Sequence, residues 1–200
     1  GIIVTVLFAC LIGSALLFYA GWELIIVGLL CVLFAFLYTT GPYPLSYNGW
    51  GDVLVIVFFG FVPVGGTYYV QALTWTSDTT VASLICGLLI DTLLVVNNYR
   101  DREADARSGK RTVIVRFGEK FGRYLYLMLG VAASLLCFWF FFEGHLFAAL
   151  LPLLYLIPHV LTWRRMVQIH SGKKLNSILG ETSRNMLLMG ILLSIGFFLN

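Results

Sequence analysis

Three oxygen-bearing side chains, Asn97, Asp101 and Asp105, recur at intervals of four in the segment that runs on to Thr112. On a helix each interval of four turns the chain about 40° past a full turn, so the three share one face. Two carboxylates and an amide oxygen on one face suit Mg²⁺, a hard cation that takes oxygen ligands and keeps waters or phosphate oxygens as well. Asp101 and Asp105 are the candidate catalytic carboxylates, and with Asn97 the candidate metal ligands. Gly109 is a flexible break after which Lys110 and Arg111 fold back. With Arg100 they are the candidate grip on the non-bridging oxygens of a diphosphate, arginine as a planar fork and lysine as a point charge. A plain charged loop that anchors topology is the competing reading. The regular carboxylate spacing, and the cost of an Asn97–Asn98 pair at a membrane boundary, favour a site.

A second segment, residues 38–52, has no basic residue, three tyrosines and a tryptophan, and Gly and Pro divide it into turns. Interfacial aromatics also belong to the ordinary belt of membrane proteins. As a site it reads as a lid or wall over a cavity, with Tyr43, Tyr47 and Asn48 placed to hold a phenolic or carboxylated acceptor.

The elements that must position these groups are membrane helices. Of 200 residues, 60% are hydrophobic and 12% charged, with a mean hydropathy of +0.90. Soluble domains hold about 25% charged residues, so this balance excludes an ordinary soluble domain. A crossing needs roughly 20 mainly apolar residues. Stretches at 2–20, 22–39, 53–71, 79–97, 122–142, 146–163 and 185–199 qualify or nearly do, which predicts an all-α, polytopic bundle of seven transmembrane helices in a single domain, 1–200. All 13 lysines and arginines fall between Arg100 and Arg123 or between Arg164 and Arg184. Span counting puts both segments, and the 40–52 loop, on one side, which the positive-inside rule makes cytoplasmic. The four cysteines lie in apolar runs and read as small hydrophobes. Asp91 lies mid-helix and on a different face from Asn97, equally a structural carboxyl or a working one. His159 reads as packing.

The run Asn97-Asn98-Tyr99-Arg100-Asp101-Arg102-Glu103-Ala104-Asp105, followed by Gly109-Lys110-Arg111-Thr112, resembles the second aspartate motif of the UbiA superfamily of intramembrane prenyltransferases. Gly41 to Gly51 is similar to a loop of the branch that acts on dihydroxynaphthoate in menaquinone synthesis. The resemblance covers essentially the whole chain. It implies nine helices around a cavity open to cytoplasm and lipid, in a multi-pass protein of the inner (cytoplasmic) membrane. Two aspartate motifs would hold Mg²⁺ on a polyprenyl diphosphate. The implied reaction transfers the polyprenyl group to an aromatic acceptor such as 1,4-dihydroxy-2-naphthoate, with loss of CO₂ and diphosphate, giving demethylmenaquinone. The implied partners are those two substrates and membrane lipid, with no nucleic acid. The first motif is expected upstream of Gly1; two further helices would make nine, and this chain by itself is expected to lack activity. Another UbiA-type prenyltransferase, a CDP-alcohol phosphotransferase (which needs an upstream Asp-Gly and a second Asp-x-x-x-Asp) and a non-catalytic transporter or scaffold are the rival readings.

Overall fold

The computed structural model describes residues 1–199. Its helices are α1 (Ile2–Ser14), α2 (Leu17–Ala20), α3 (Glu23–Thr39), α4 (Gly51–Ala72), α5 (Ser77–Arg107), α6 (Val113–Phe117), α7 (Glu119–Phe142), α8 (Leu146–Ile169) and α9 (Lys173–Phe198). The fold is the expected all-α bundle, with no strand among the described residues. Five helices, α4, α5, α7, α8 and α9, are long and apolar enough to cross a membrane; the apolar α1 and α3 are shorter. The first expected span thus divides at Ala15–Leu16. The last begins earlier than its apolar run, because its polar residues are paired inside the bundle. Glu181 meets Arg165 at 2.5 Å, and Asn185 donates to the Thr162 hydroxyl at 2.9 Å.

Helix α5 is the central element. Its 31 residues make a rod of about 46 Å, longer than the roughly 30 Å hydrocarbon layer, so its C-terminal turns extend beyond the apolar zone. The Thr76 hydroxyl caps its start by accepting the Thr79 N–H at 3.1 Å. One face packs on α4 through small residues. A Cβ at Gly60 would lie 2.5 Å from the Ser83 carbonyl oxygen, and one at Gly87 would lie 2.9 Å from the Ile56 Cα. Only glycine lets these backbones approach so closely, and close van der Waals contact is what holds helices together where lipid is as apolar as the side chains. The other faces of α5 carry two core clusters. Ile85 and Leu89 pack with Ala133, Phe140 and Met189, while Val95, Val96 and Tyr99 pack with Ile114, Tyr126 and Met166.

His159 is part of this core. It is stacked between Tyr126 and Tyr155, and its ring nitrogens meet the Tyr155 hydroxyl at 2.9 Å and the Leu127 carbonyl at 3.2 Å. The carbonyl can only accept, so Nε2 carries the proton and Nδ1 accepts from the tyrosine. Helix α3 buries no residue completely and exposes Leu29, Leu33 and Phe36. An apolar surface of that kind is at home against lipid.

Candidate functional site

The end of α5 carries polar groups on more than one face. Asn97, Arg100 and Asp101 form one cluster. Arg100 donates from Nε and Nη2 to the two Asp101 carboxylate oxygens at 2.7 and 2.6 Å, and from Nη2 to Asn97 Oδ1 at 2.7 Å. Its Nη1 reaches across to Asn176 Oδ1 on α9 at 2.9 Å. The guanidinium therefore sits between two of the three expected metal ligands and supplies the positive charge there. Asp105 takes part separately, through Lys110 Nζ at 3.4 Å. The turn that brings Lys110 back is built on Gly109, whose φ of 78° belongs to the left-handed region that glycine enters at no steric cost. Among the described residues no three His, Cys, Asp or Glu side chains gather in one place.

The two segments singled out by sequence meet. The Arg111 N–H donates to the Tyr47 carbonyl at 2.7 Å, and Arg116 Nη2 donates to the Asn48 carbonyl at 2.7 Å. Gly49 fits between them with φ 82°; a Cβ there would lie 3.1 Å from the Arg111 carbonyl oxygen. The loop is braced from within as well. Asn48 Nδ2 donates to the Pro44 carbonyl at 2.9 Å, and the Ser46 hydroxyl donates to the Tyr38 carbonyl at 2.6 Å. Asn48 thus spends its amide on the loop itself, while Tyr43 and Tyr47 are exposed.

Behind this cluster lies a cavity of about 890 Å³ between α3, α4, α5 and α9. Phe34, Phe58 and Phe59 give it aromatic walls, and Tyr38, Asn97 and Ser183 are its main polar points. Of the residues expected at the site, Asn97 alone lines this cavity. Arg100, Asp101, Asp105, Lys110 and Arg111 stand at the polar helix end next to it, and Tyr43, Tyr47 and Asn48 stand outside its wall. Sequence reasoning did not single out Tyr38, Ser183, Asn176 or Arg116. Tyr38 ends an apolar run and Ser183 lies among polar residues of α9, so neither carries a local signal; Arg116 was one of eight cations in its segment. Asp91 is buried beside cavity-lining Ile90, and one of its carboxylate oxygens, like one of Asp52, has no hydrogen-bond partner among the described residues.

A polytopic helical bundle with an apolar, aromatic-walled cavity and a cluster of carboxylate, amide and basic groups beside it defines a multi-pass membrane protein with an amphiphilic interior. The chain belongs to the UbiA prenyltransferase family, whose profile matches residues 1–197. It is 37% identical over 181 residues to a 1,4-dihydroxy-2-naphthoate octaprenyltransferase of Haemophilus influenzae, covering 86% of this chain and 56% of that protein. The enzyme of the same name from Escherichia coli is 34% identical over 212 residues, covering 100% of this chain and 67% of that protein. Another from Mycobacterium tuberculosis is 44% identical over 119 residues, covering 60% of this chain and 40% of that protein. The chain thus spans between 40% and 67% of the length of these relatives. No solved structure matches it.

Proposed function

We propose that the protein transfers a polyprenyl group from polyprenyl diphosphate to an aromatic acceptor of the 1,4-dihydroxy-2-naphthoate type. The carbon–oxygen bond to diphosphate breaks, a carbon–carbon bond forms at the ring carbon that bears the carboxylate, and CO₂ leaves, giving the reduced, hydroquinone form of the demethylmenaquinone skeleton. The observation that carries this reading is the juxtaposition at Asn97: an apolar cavity on one side, and Arg100, Asp101, Asp105 and Lys110 on the other.

The donor set fits Mg²⁺ in kind. Asn97, Asp101 and Asp105 offer only oxygen atoms, and the Arg100 guanidinium between the first two marks a place where positive charge is held. Bound there, Mg²⁺ would neutralise charge that grows on the departing diphosphate. Three carboxylate and amide groups are few for a fully caged ion, which suits a metal that shares its shell with phosphate oxygens. The chain's own cations act at the same moment. Lys110 and Arg111, held at the mouth by the Gly109 turn and the Tyr47 carbonyl, stabilise the leaving group, and groups aimed at developing charge contribute more to rate than groups that bind the ground state. Phe34, Phe58 and Phe59 enclose the allylic chain and present ring faces to a carbocation while keeping water out. Tyr38 and Ser183 are the polar groups nearest the acceptor. The basic ends of the helices face the cytoplasm of the inner membrane, where both substrates would enter.

The test is the whole protein, carrying any sequence that precedes Gly1, in lipid vesicles with polyprenyl diphosphate, Mg²⁺ and acceptor labelled in its carboxyl group. Labelled CO₂ released one for one with prenylated product is the expected result. Product that keeps the label, or no product beside an active relative, would overturn the reading.

A further inference from the structure

A second, smaller cavity of about 460 Å³ opens between α7 and α8, and none of its lining residues lines the larger one. Glu119, Lys120 and Arg123 at the start of α7 and His170 at the end of α8 form its polar part, and Tyr124 and Trp163 its aromatic part. We propose that this cavity is a headgroup site for an anionic phospholipid, distinct from the cavity assigned to prenyl transfer and independent of that assignment.

The charge pattern is the first argument. Glu119 is already satisfied: it accepts from the Tyr99 hydroxyl at 2.8 Å, from Arg102 at 3.4 Å and from Arg123, and His170 Nε2 lies 3.1 Å away. Arg123 Nε also donates to the Tyr99 hydroxyl at 3.0 Å, and Arg102 stacks on the Tyr99 ring at 4.6 Å. Arg102 and Arg123 thus already neutralise this one carboxylate, and Lys120 beside it in the cavity lining adds a further positive charge. Lys120 is exposed and, among the described residues, makes no ion pair or hydrogen bond, so its three donors are free for an anion.

The surroundings are the second argument, and they choose a lipid over a free anion. Phe121, Tyr124 and Met128 are all exposed and follow one another down α7 at intervals of three and four, so an apolar stripe descends from the basic cavity. Trp163 holds the rim, with its indole N–H on the Arg123 carbonyl at 2.9 Å. A phosphate held by cations above, acyl chains along the stripe below and aromatic rings at the boundary is the arrangement a phospholipid fits. Arg123 is also preorganised, because Glu119 and the buried Tyr99 hold it in place before any anion arrives.

Native mass spectrometry of the protein released from neutral detergent tests this, with phosphatidylglycerol, phosphatidylcholine or inorganic phosphate added in parallel. The expected result is one tightly held phosphatidylglycerol, with phosphatidylcholine retained much less and inorganic phosphate at the same concentration displacing neither. Lys120→Ala should weaken phosphatidylglycerol retention about fivefold, and Lys120→Glu further, each basic residue near an anionic surface contributing about that factor. Neither variant should shift the melting temperature, since Lys120 has no partner to lose. His170→Ala is a second variant that removes a cavity wall without touching Lys120. Equal retention of both lipids, unchanged retention in Lys120→Glu, or full competition by inorganic phosphate would each overturn the proposal.

Discussion

Asp101→Ala separates the fold from the chemistry, and both effects can be sized. The side chain accepts two hydrogen bonds from Arg100, at 2.7 and 2.6 Å, but it is 39% exposed. Solvent screens such a pair, and after that discount its loss costs the fold at most about 1 kcal/mol. Arg100 is not orphaned by the change, because Asn97 and Asn176 still accept from it. A loss of that size lowers the melting temperature by no more than about 2–4 °C in a chain of this length. Activity should fall far more. Removing a carboxylate that would hold Mg²⁺ against the charge growing on the leaving group should cost on the order of 10²–10³ in rate. The assay is prenyl transfer in proteoliposomes at saturating Mg²⁺, with the melting temperature measured in the same preparation. Asp101→Asn belongs beside it, since it keeps the shape and removes only the charge. Activity within tenfold of the parent, from a protein that melts normally, would refute the reasoning. A large fall in melting temperature would refute the other half, by showing that Asp101 holds the fold.

Arg116→Ala removes the 2.7 Å donor to the Asn48 carbonyl, so the 40–52 loop should be cut faster in limited proteolysis while the core melts unchanged; an unaltered cleavage rate would show that the Arg111–Tyr47 bond alone suffices. Gly87→Leu drives a branched side chain into the Ile56 backbone, and a cost of about 1–3 kcal/mol or more should appear as lost folded yield in detergent; a normal yield would contradict the close approach of α4 and α5. Asp91→Leu replaces a buried carboxyl that has an unpartnered oxygen by an apolar group of similar size, and should leave the protein as stable or more stable. A drop of more than about 2 kcal/mol would mean that the carboxyl is engaged.

The helices and the polar face of α5 were legible because each rests on a local rule. Apolar runs declare spans, and a four-residue interval declares a shared face. The first run misled in detail: 2–20 is apolar throughout, yet it folds as α1 and α2, and hydropathy carries no record of such a break. The start of α9 was hidden for the opposite reason. Glu181 and Asn185 interrupt the apolar pattern, and only the fold supplies Arg165 and Thr162 to satisfy them. The cavity was the least legible part. Phe34, Phe58 and Phe59 are three of 16 phenylalanines, and which of these line a space depends on how α3, α4, α5 and α9 lean together.

The last turns of α5 serve two places at once. At about 100° per residue, Asn97, Arg100 and Asp101 fall on one side of the rod, while Tyr99 and Arg102 fall on the other. Tyr99 and Arg102 reach Glu119, and the first group borders the larger cavity. Upstream, Gly87 pins the rod's rotation against Ile56, and downstream the Arg111–Tyr47 bond pins its exit. A substitution between these pins alters one side chain. Inserting or deleting a single residue would turn every later one by about 100° and trade the two sides against each other. The stretch is therefore fixed in phase: its letters can vary one at a time, but its count cannot, and any change in length has to be taken up in the connections beyond.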